Sequence, residues 1–387
     1  MKVLMHCLSQ LSGGAKAYLR NVAPLLCQHF KNSPEGHTLK LLAHNEQRDL
    51  LEFVDPAQII WVTGERPAGK KRVIWELKNL PRIIESEGID VFFNPYQIGP
   101  NVPNVKQVLM LQNMEPFLCK GLSYSFNSRV RNYLLKEWST YCLKKADRVI
   151  SISEFVKKYL VQNLGIEKSR IRLIYHGTDQ EKYLKLNPGR AKDVLEKLGV
   201  REKFILTCGS LLPYRRCEDV IGAFSKCAEK IGENVQLVIA GTGNDKKCHQ
   251  LIENSIKKSP YRNRICRVGF VPWELMIDLY KRSLCCVLAT EIEACSIIAI
   301  EAMTMGCAII SSDCPPLPEI LNGSTLQFES RNVDQLANRI LHCVEDENVR
   351  KKLKSLALNR AKDFSWVKCG LETYSALTDW QQGENDR

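Results

Sequence analysis

Short apolar runs alternate with helical patterns along all 387 residues, and this alternation constrains the fold class before any single motif does. The first run, residues 3–8, passes through a loop at 9–14 into a helical pattern over 15–29. Tyr18, Leu19, Val22, Leu25 and Leu26 share one face of that helix. Strands are then expected near 39–43, 58–62, 91–93, 105–111 and 148–151, with helices near 73–87, 130–145 and 154–164. A second cycle follows the break at Asn187, Pro188 and Gly189, with strands near 204–208, 235–240, 265–268, 284–288, 308–311 and 325–328. Strand–helix alternation of this kind builds doubly wound parallel sheets, so two α/β domains are expected, 1–178 and 179–364. Residues 365–387 form a separate C-terminal segment, helical over 366–380 and frayed over 381–387. Two α/β domains facing each other create a cleft in which a ligand is expected.

Composition closes off several classes of function. A hydrophobic content of 44% with 25% charged residues is that of a globular chain. No stretch supplies the roughly 20 apolar residues that cross a bilayer, and the N-terminus runs straight from a strand into glycines rather than through a leader pattern. A cytoplasmic location is expected, at most peripheral at the inner face of a membrane. Sixteen cysteines are scattered through apolar segments without a Cys-x-x-Cys pair, which fits buried thiols rather than a disulfide framework. His176 and His249 lack neighbours at metal-ligand spacing, so no metal is expected. Of the net charge of +12, +9 falls in residues 1–180. The runs Lys70–Arg72, Arg129 with Arg131, and Lys144 with Lys145 could face an anionic membrane or acceptor, or form a solvated surface. Aromatics are not interleaved with them, and nucleic acid is not an expected partner.

Two carboxylates stand out in the segment Cys285–Ile310. Glu293 lies in the polar elbow after an apolar strand, and Glu301 lies eight positions later in a helix expected over 297–305. Ser296 suits the N-cap of that helix, and Gly306 suits the left-handed position that closes it. Acidic groups beside free backbone N–H groups, at the carboxyl end of a parallel sheet, suit a polyhydroxyl and phosphate ligand. An ordinary dipole partner or solvated helix residue is the competing reading.

Three further loops sit at strand ends. Gly209-Ser-Leu-Leu-Pro-Tyr-Arg215-Arg216 carries two guanidiniums into a helix start, which is unfavourable unless an anion lies nearby. The turn Ala240-Gly241-Thr-Gly243 allows close backbone approach to a flat group such as a base. Gly13-Gly14 opens the first helix, but the dinucleotide fingerprint and the P-loop pattern are both missing, which disfavours a dehydrogenase or a kinase. Together these loops describe a pocket for a nucleotide sugar. A hydroxyl bonded to an ionised carboxylate contributes roughly 1.5–3 kcal/mol, enough for two carboxylates to select among sugars.

On these residues the chain resembles the retaining glycosyltransferases of family 4, also called glycosyl transferases group 1. The resemblance runs through Gly13-Gly-Ala15, Ile174-Tyr-His-Gly177-Thr-Asp179, the 209–215 loop, Ala240–Gly243, Val268-Gly-Phe270, the Glu293–Glu301 segment with Gly306, and Phe364-Ser-Trp366. It implies the GT-B fold, two facing Rossmann-like domains with a cleft between them, the last helix crossing back to the N-terminal domain. It also implies metal-independent transfer of a hexose, with retention, from a UDP- or GDP-linked sugar to a saccharide or lipid-linked acceptor in surface glycan biosynthesis. The nucleotide sugar is then a co-substrate, and no cofactor is implied.

By resemblance, Glu301 holds the ribose hydroxyls and Glu293 contacts the transferred sugar. Arg215, helped by Arg216, holds the diphosphate together with backbone groups of Ser296, Ile297 and Ile298, while Gly209, Gly241, Gly13 and Gly14 let the donor approach. Glu293 and Arg215 are the residues expected to carry the chemistry. Acceptor loops fall near 112–126, with Gln112 and Asn113 on the acceptor side. Three departures stand out: the elbow reads Glu293-Ala-Cys-Ser-Ile-Ile298 where the family often has glycines, Ser210 replaces a frequent basic residue, and Gln112 stands where a histidine is usual. A non-catalytic nucleotide- or glycan-binding homologue is therefore the alternative reading. An epimerase or phosphorylase is a third, the latter without an evident lysine for pyridoxal phosphate.

Overall fold

The computed structural model of the chain describes residues 1–9, 13–65, 69–100, 102–178 and 192–380. Residues 10–12 of the first loop, Asp179, the break at 187–189 and the tail 381–387 lie outside the described residues, as does the side chain of Lys70.

The first series of elements runs β1 (Lys2–His6), α1 (Gly13–Lys31), β2 (Thr38–His44), β3 (Ile59–Val62), α2 (Gly69–Ser86), β4 (Val91–Asn94), β5 (Lys106–Leu111), α3 (Glu115–Leu118), α4 (Phe126–Lys145), β6 (Arg148–Ser151), α5 (Glu154–Gln162) and β7 (Ile171–Leu173). The second runs α6 (Lys192–Lys197), β8 (Lys203–Cys208), α7 (Cys217–Cys227), β9 (Val235–Ala240), α8 (Lys246–Lys258), β10 (Ile265–Gly269), α9 (Trp273–Arg282), β11 (Cys285–Leu288), α10 (Ile297–Thr304), β12 (Ile309–Ser312), α11 (Leu317–Leu321), β13 (Thr325–Phe328), α12 (Val333–Glu345), α13 (Glu347–Ala361) and α14 (Trp366–Thr378).

The strands form two parallel sheets, in the orders β3-β2-β1-β4-β5-β6-β7 and β10-β9-β8-β11-β12-β13. A parallel sheet is covered on both faces, which is why β4, β9 and β11 are buried at every position. In the second sheet the strand order reverses between β8 and β11, the place where open α/β sheets hold their ligands. β7 was not expected from sequence, although Ile171 and Leu173 alternate with Arg170 and Arg172, a short edge-strand pattern.

The chain divides into two compact units: Met1–Met114 with Leu134–Gly177 and Ser365–Arg387, and Glu115–Tyr133 with Thr178–Phe364. The segment Glu115–Tyr133 thus departs from the expected first domain and belongs to the second unit. Its anchors are local in space but distant in sequence. Asp245 accepts from the Ser125 N–H at 3.2 Å and the Ser128 hydroxyl at 2.8 Å, while buried Glu115 receives Arg131 at 3.0 Å and Asn132 at 3.2 Å.

In the first unit, α14 lies on α1. Tyr18 meets Thr373 at 3.1 Å, and Gly370 gives Leu25 its room, since a Cβ there would sit 2.8 Å from the Leu25 Cβ. Arg148 of β6 donates to the carbonyls of Ala376 and Asp379 and stacks over Trp380. His176 is enclosed between Tyr18 and Trp366, and burial pushes its pKa down to about 3, so it is a neutral packing residue. All sixteen cysteines are free thiols and none is fully exposed.

Gly177 packs against the start of α14 so tightly that a Cβ would lie 2.1 Å from the Trp366 nitrogen. Backbone cannot swing aside as a side chain can. Gly177→Ala is therefore expected to cost about 1–3 kcal/mol in urea unfolding, and a change within about 0.5 kcal/mol would contradict this packing.

Candidate functional site

The site is built on the carboxyl ends of β8 and β11. After β8 the chain turns at Gly209, whose φ of 121° lies outside the range of ordinary residues, and continues to a short 3-10 turn, Pro213–Arg215. Arg216 takes a left-handed conformation, φ 50°, and α7 begins. The β9 loop zips onto this turn: the Gly209 N–H bonds the Ala240 carbonyl at 3.0 Å, and the Leu211 N–H bonds the Thr242 carbonyl at 2.9 Å.

This pairing requires glycine at Gly241. A Cβ on Gly241 would lie 1.8 Å from the Gly209 carbonyl oxygen, and one on Gly243 would lie 2.0 Å from that of Leu211. The room left by both glycines in the Cβ direction is filled by protein backbone. Gly209 plays a similar part for α10, since its missing side chain admits Ile298.

Arg215 and Glu293 form an ion pair between the two strand-end loops, Nη1 donating to Oε1, and the Ser296 hydroxyl donates to the same oxygen at 3.3 Å. Both side chains are nearly buried, 16% and 10% exposed, and the ring of Tyr214 lies beside the guanidinium. Burial pulls the Arg215 pKa down, but the Glu293 carboxylate outweighs it and the guanidinium stays charged. Burial also raises Glu293, with Arg215 offsetting only part of the rise. The Nε of Arg215 is buried with no hydrogen-bond partner among the described residues, an uncommon state for a guanidinium. Arg215 borders a small hollow, partly open to solvent, whose lining includes Thr207, Cys208, Ser210 and Thr290.

The short helix α10 begins at Ser296, but not in the expected way. Ser296 is left-handed, φ 30°, and its hydroxyl turns to Glu293 instead of capping the helix. The Ala299 and Ile300 N–H groups bond the Ser296 carbonyl, so the first-turn N–H groups of Ile297 and Ile298 have no carbonyl within the helix. At the other end Gly306, φ 62°, completes a Schellman closure: its N–H bonds the Met303 carbonyl and the Cys307 N–H bonds that of Ala302.

Glu301, on α10, accepts a side-chain bond from the Tyr280 hydroxyl at 3.3 Å, and that hydroxyl also meets Cys208 at 3.4 Å. Burial raises the Glu301 carboxyl to about 7. Tyr280 was missed in the sequence reading because nothing in the pattern of α9 sets it apart from a core aromatic.

Arg216 is held by acidic side chains of the protein. It binds Asp219 through two bonds, 2.8 and 2.9 Å, meets Glu218 at 3.0 Å and lies 3.8 Å from Glu291, so the anion at this helix start is supplied by the protein's own carboxylates. Arg331 holds the other side of Glu291. The remaining expected residues belong to the first unit. Gly13, with φ 53°, and Gly14 open α1, with open space where a Gly13 side chain would point. Gln112 donates to the Met110 sulfur, and the Asn113 carbonyl accepts from Gln97. Among the described residues no cluster of His, Cys, Asp or Glu could hold a metal ion, and no helix is long and apolar enough to cross a membrane.

Comparison with known proteins places this architecture. A family model described as Glycosyl transferases group 1 matches residues 192–360, and one described as Glycosyltransferase Family 4 matches 12–182. An uncharacterised glycosyltransferase of Methanocaldococcus jannaschii is 26% identical over 312 residues, 77% of this chain and 78% of that one. A Campylobacter jejuni transferase, named N-acetylgalactosamine-N,N'-diacetylbacillosaminyl-diphospho-undecaprenol 4-alpha-N-acetylgalactosaminyltransferase, is 26% identical over 389 residues, 95% of this chain and 96% of that one. The crystal structure of Anabaena HepE in complex with UDP-glucose matches with a TM-score of 0.76 at 18% identity, over 98% of this chain and all of that one. Fold and family models together define a glycosyltransferase of the GT-B class. The chain belongs to family 4, the group 1 glycosyltransferases.

The Glu301 environment has a consequence for stability. Between its ordinary value of 4.5 and its folded value of about 7, the folded chain binds the proton more tightly than the unfolded chain, so stability falls as pH rises through that window. Glu301→Gln should then stabilise the fold by up to about 3 kcal/mol near pH 8 and add little near pH 4. Equal increments at both pH values in urea titrations would contradict a carboxylate held in desolvated surroundings.

Proposed function

We propose that this chain is a retaining, metal-independent hexosyltransferase. It takes a sugar from a UDP- or GDP-linked donor and passes it to a saccharide or lipid-linked acceptor in the biosynthesis of a surface polysaccharide or glycan. The observation that carries the reading is the Arg215 guanidinium, charged, nearly buried, clamped on one edge by Glu293 and unpartnered at Nε beside an open hollow.

A diphosphate suits this edge, because guanidinium bonds to phosphate are charge-assisted and directional. The N–H groups of Ile297 and Ile298, at the positive end of α10, add donors for the same charge. They act in place of a cation as the bond from the sugar's anomeric carbon to the phosphate oxygen breaks and negative charge grows on that oxygen. The acceptor hydroxyl forms the new bond on the same face of the sugar, and its proton passes to the departing phosphate.

Glu301 would hold the vicinal hydroxyls of the ribose, exchanging the Tyr280 contact for hydroxyl donors. Because an ionised carboxylate offers more acceptor sites than its acid form, donor affinity should fall as pH drops below about 7. Glu293 would meet the transferred sugar while its Arg215 bond holds it in place. The relatives support this direction, since HepE is described in complex with UDP-glucose and the Campylobacter enzyme is named for an acceptor carried on diphospho-undecaprenol.

Calorimetry with UDP- and GDP-sugars, followed by assay of nucleoside diphosphate release, tests the proposal. Arg215→Lys keeps the charge but loses the fork, and should lower turnover about a hundredfold with the fold intact. Glu293→Gln should reduce turnover more than nucleotide affinity. Failure of both donor classes to bind would end the donor reading, and unaltered turnover in Arg215→Lys would remove Arg215 from the chemistry.

A further inference from the structure

The first sheet has a reversal of strand order of its own, between β1 and β4, and open α/β sheets hold ligands at the carboxyl ends of the strands that flank such a point. Those two strands end in His6 and Asn94, which follow the register pair Met5 and Phe93. Two residues earlier, Leu4 and Phe92 pack in one apolar cluster with Leu80 and Ile84 of α2, so His6 and Asn94 share the face that α2 covers. The apolar face thus ends in a polar edge.

Glu76 of α2 meets that edge. Its Oε1 lies 3.2 Å from His6 Nε2 and 3.2 Å from Arg72 Nε. The three side chains step from interior to surface, with His6 1% exposed, Glu76 13% and Arg72 25%. Burial pushes the Glu76 carboxyl up, but His6 and Arg72 outweigh it and hold it below the usual carboxylate range. Just beyond β4, Asn94 donates to the Ile98 carbonyl, and Gln97 donates to that of Asn113 at 3.3 Å.

His6 Nδ1, Asn94 Oδ1 and Gln97 Oε1 are buried with no hydrogen-bond partner among the described residues. Native chains leave few such atoms, and three of them at one sheet edge mark bonds that the described residues do not supply. An imidazole, two carboxamide oxygens and an ionised carboxylate all bond hydroxyl groups. That carboxylate also disfavours an anion. The ligand this set selects is a neutral polyhydroxyl compound.

We infer that the carboxyl edge of the first sheet binds a neutral saccharide as the acceptor, with Glu76 bonding its hydroxyls and His6 as the positioning residue that holds Glu76. The inference rests on the transferase reading for the role of that saccharide. None of its side chains belongs to the site built on β8 and β11, so the two can fail separately.

NMR titration of the full chain with the methyl glycosides of mannose, glucose and galactose tests it, alongside calorimetry with UDP- and GDP-sugars. At least one neutral glycoside should bind, and the anionic methyl glucuronide should bind more weakly. Glu76→Gln and, separately, Arg72→Gln should each weaken glycoside binding about tenfold or more, with donor affinity unchanged. Arg72→Gln lies at the partly exposed end of the cluster and should melt with the parent chain, which separates lost binding from lost fold. His6→Ala should lose binding that His6→Gln, which keeps a nitrogen donor toward Glu76, recovers. Absence of recovery would remove His6 from the positioning role. Failure of every neutral glycoside to bind the parent, unchanged binding in both the Glu76 and Arg72 variants, or equal binding of the glucuronide would overturn the inference, even where donors bind. Glycosides that bind in dependence on Glu76, with neither donor class bound, would uphold this saccharide site and end the donor reading alone.

Discussion

The ion pair between Arg215 and Glu293 is the contact on which the site in the second unit depends. It joins the loop after β8 to the loop after β11 across 78 positions of sequence, at the place where the strand order reverses. A nearly buried pair of this kind adds little net stability, because desolvation of the two ions offsets their attraction. Its effect is orientational. With Nη1 committed to Glu293, the guanidinium plane is fixed and its Nε edge is left for another acceptor. The same bond fixes Glu293, and the Ser296 hydroxyl, drawn to that carboxylate, sets where α10 begins.

Around this pair the backbone is held by glycines that serve contact more than flexibility. Gly241 and Gly243 let two strand-end loops run against each other closer than any Cβ would permit. The loop that carries Arg215 is thereby braced from β9 on one side and covered by Ile298 of α10 on the other. Glu218, Asp219 and Glu291 neutralise Arg216, which would otherwise place a second positive charge at the start of α7. One guanidinium is spent on the protein and its neighbour is left facing the hollow. That division of labour is a property of long-range pairing, with Glu291 reaching Arg216 from the β11 loop.

Much of the fold was legible because its signals are local. The short strand patterns at 235–240, 148–151 and 325–328 became strands at those bounds, and the family-level features at Gly13-Gly14, Glu293 and Glu301 pointed to a GT-B glycosyltransferase. Gly306 was readable as a helix closure, since only a residue tolerant of positive φ fits there. What escaped is what depends on distant partners. The sequence offered Arg215 and Glu293 as two separate ligand contacts, with no sign that each is the other's partner. It gave no sign that Gly209 packs against Gly241. Ser296 looked like a helix cap, and the stronger acceptor three residues earlier took its hydroxyl. The segment Glu115–Tyr133 looked like part of the first domain because nothing nearby announces that Asp245 will bind Ser125 and Ser128.

The central claim is that the Arg215 Nε edge is held ready for the diphosphate of a sugar nucleotide. A crystal structure of the chain with a bound nucleoside diphosphate sugar tests it most directly. The account expects a phosphate oxygen within hydrogen-bond distance of Arg215 Nε, with Glu293 still bonded to the opposite edge. A nucleotide bound elsewhere, with that nitrogen untouched, would contradict it.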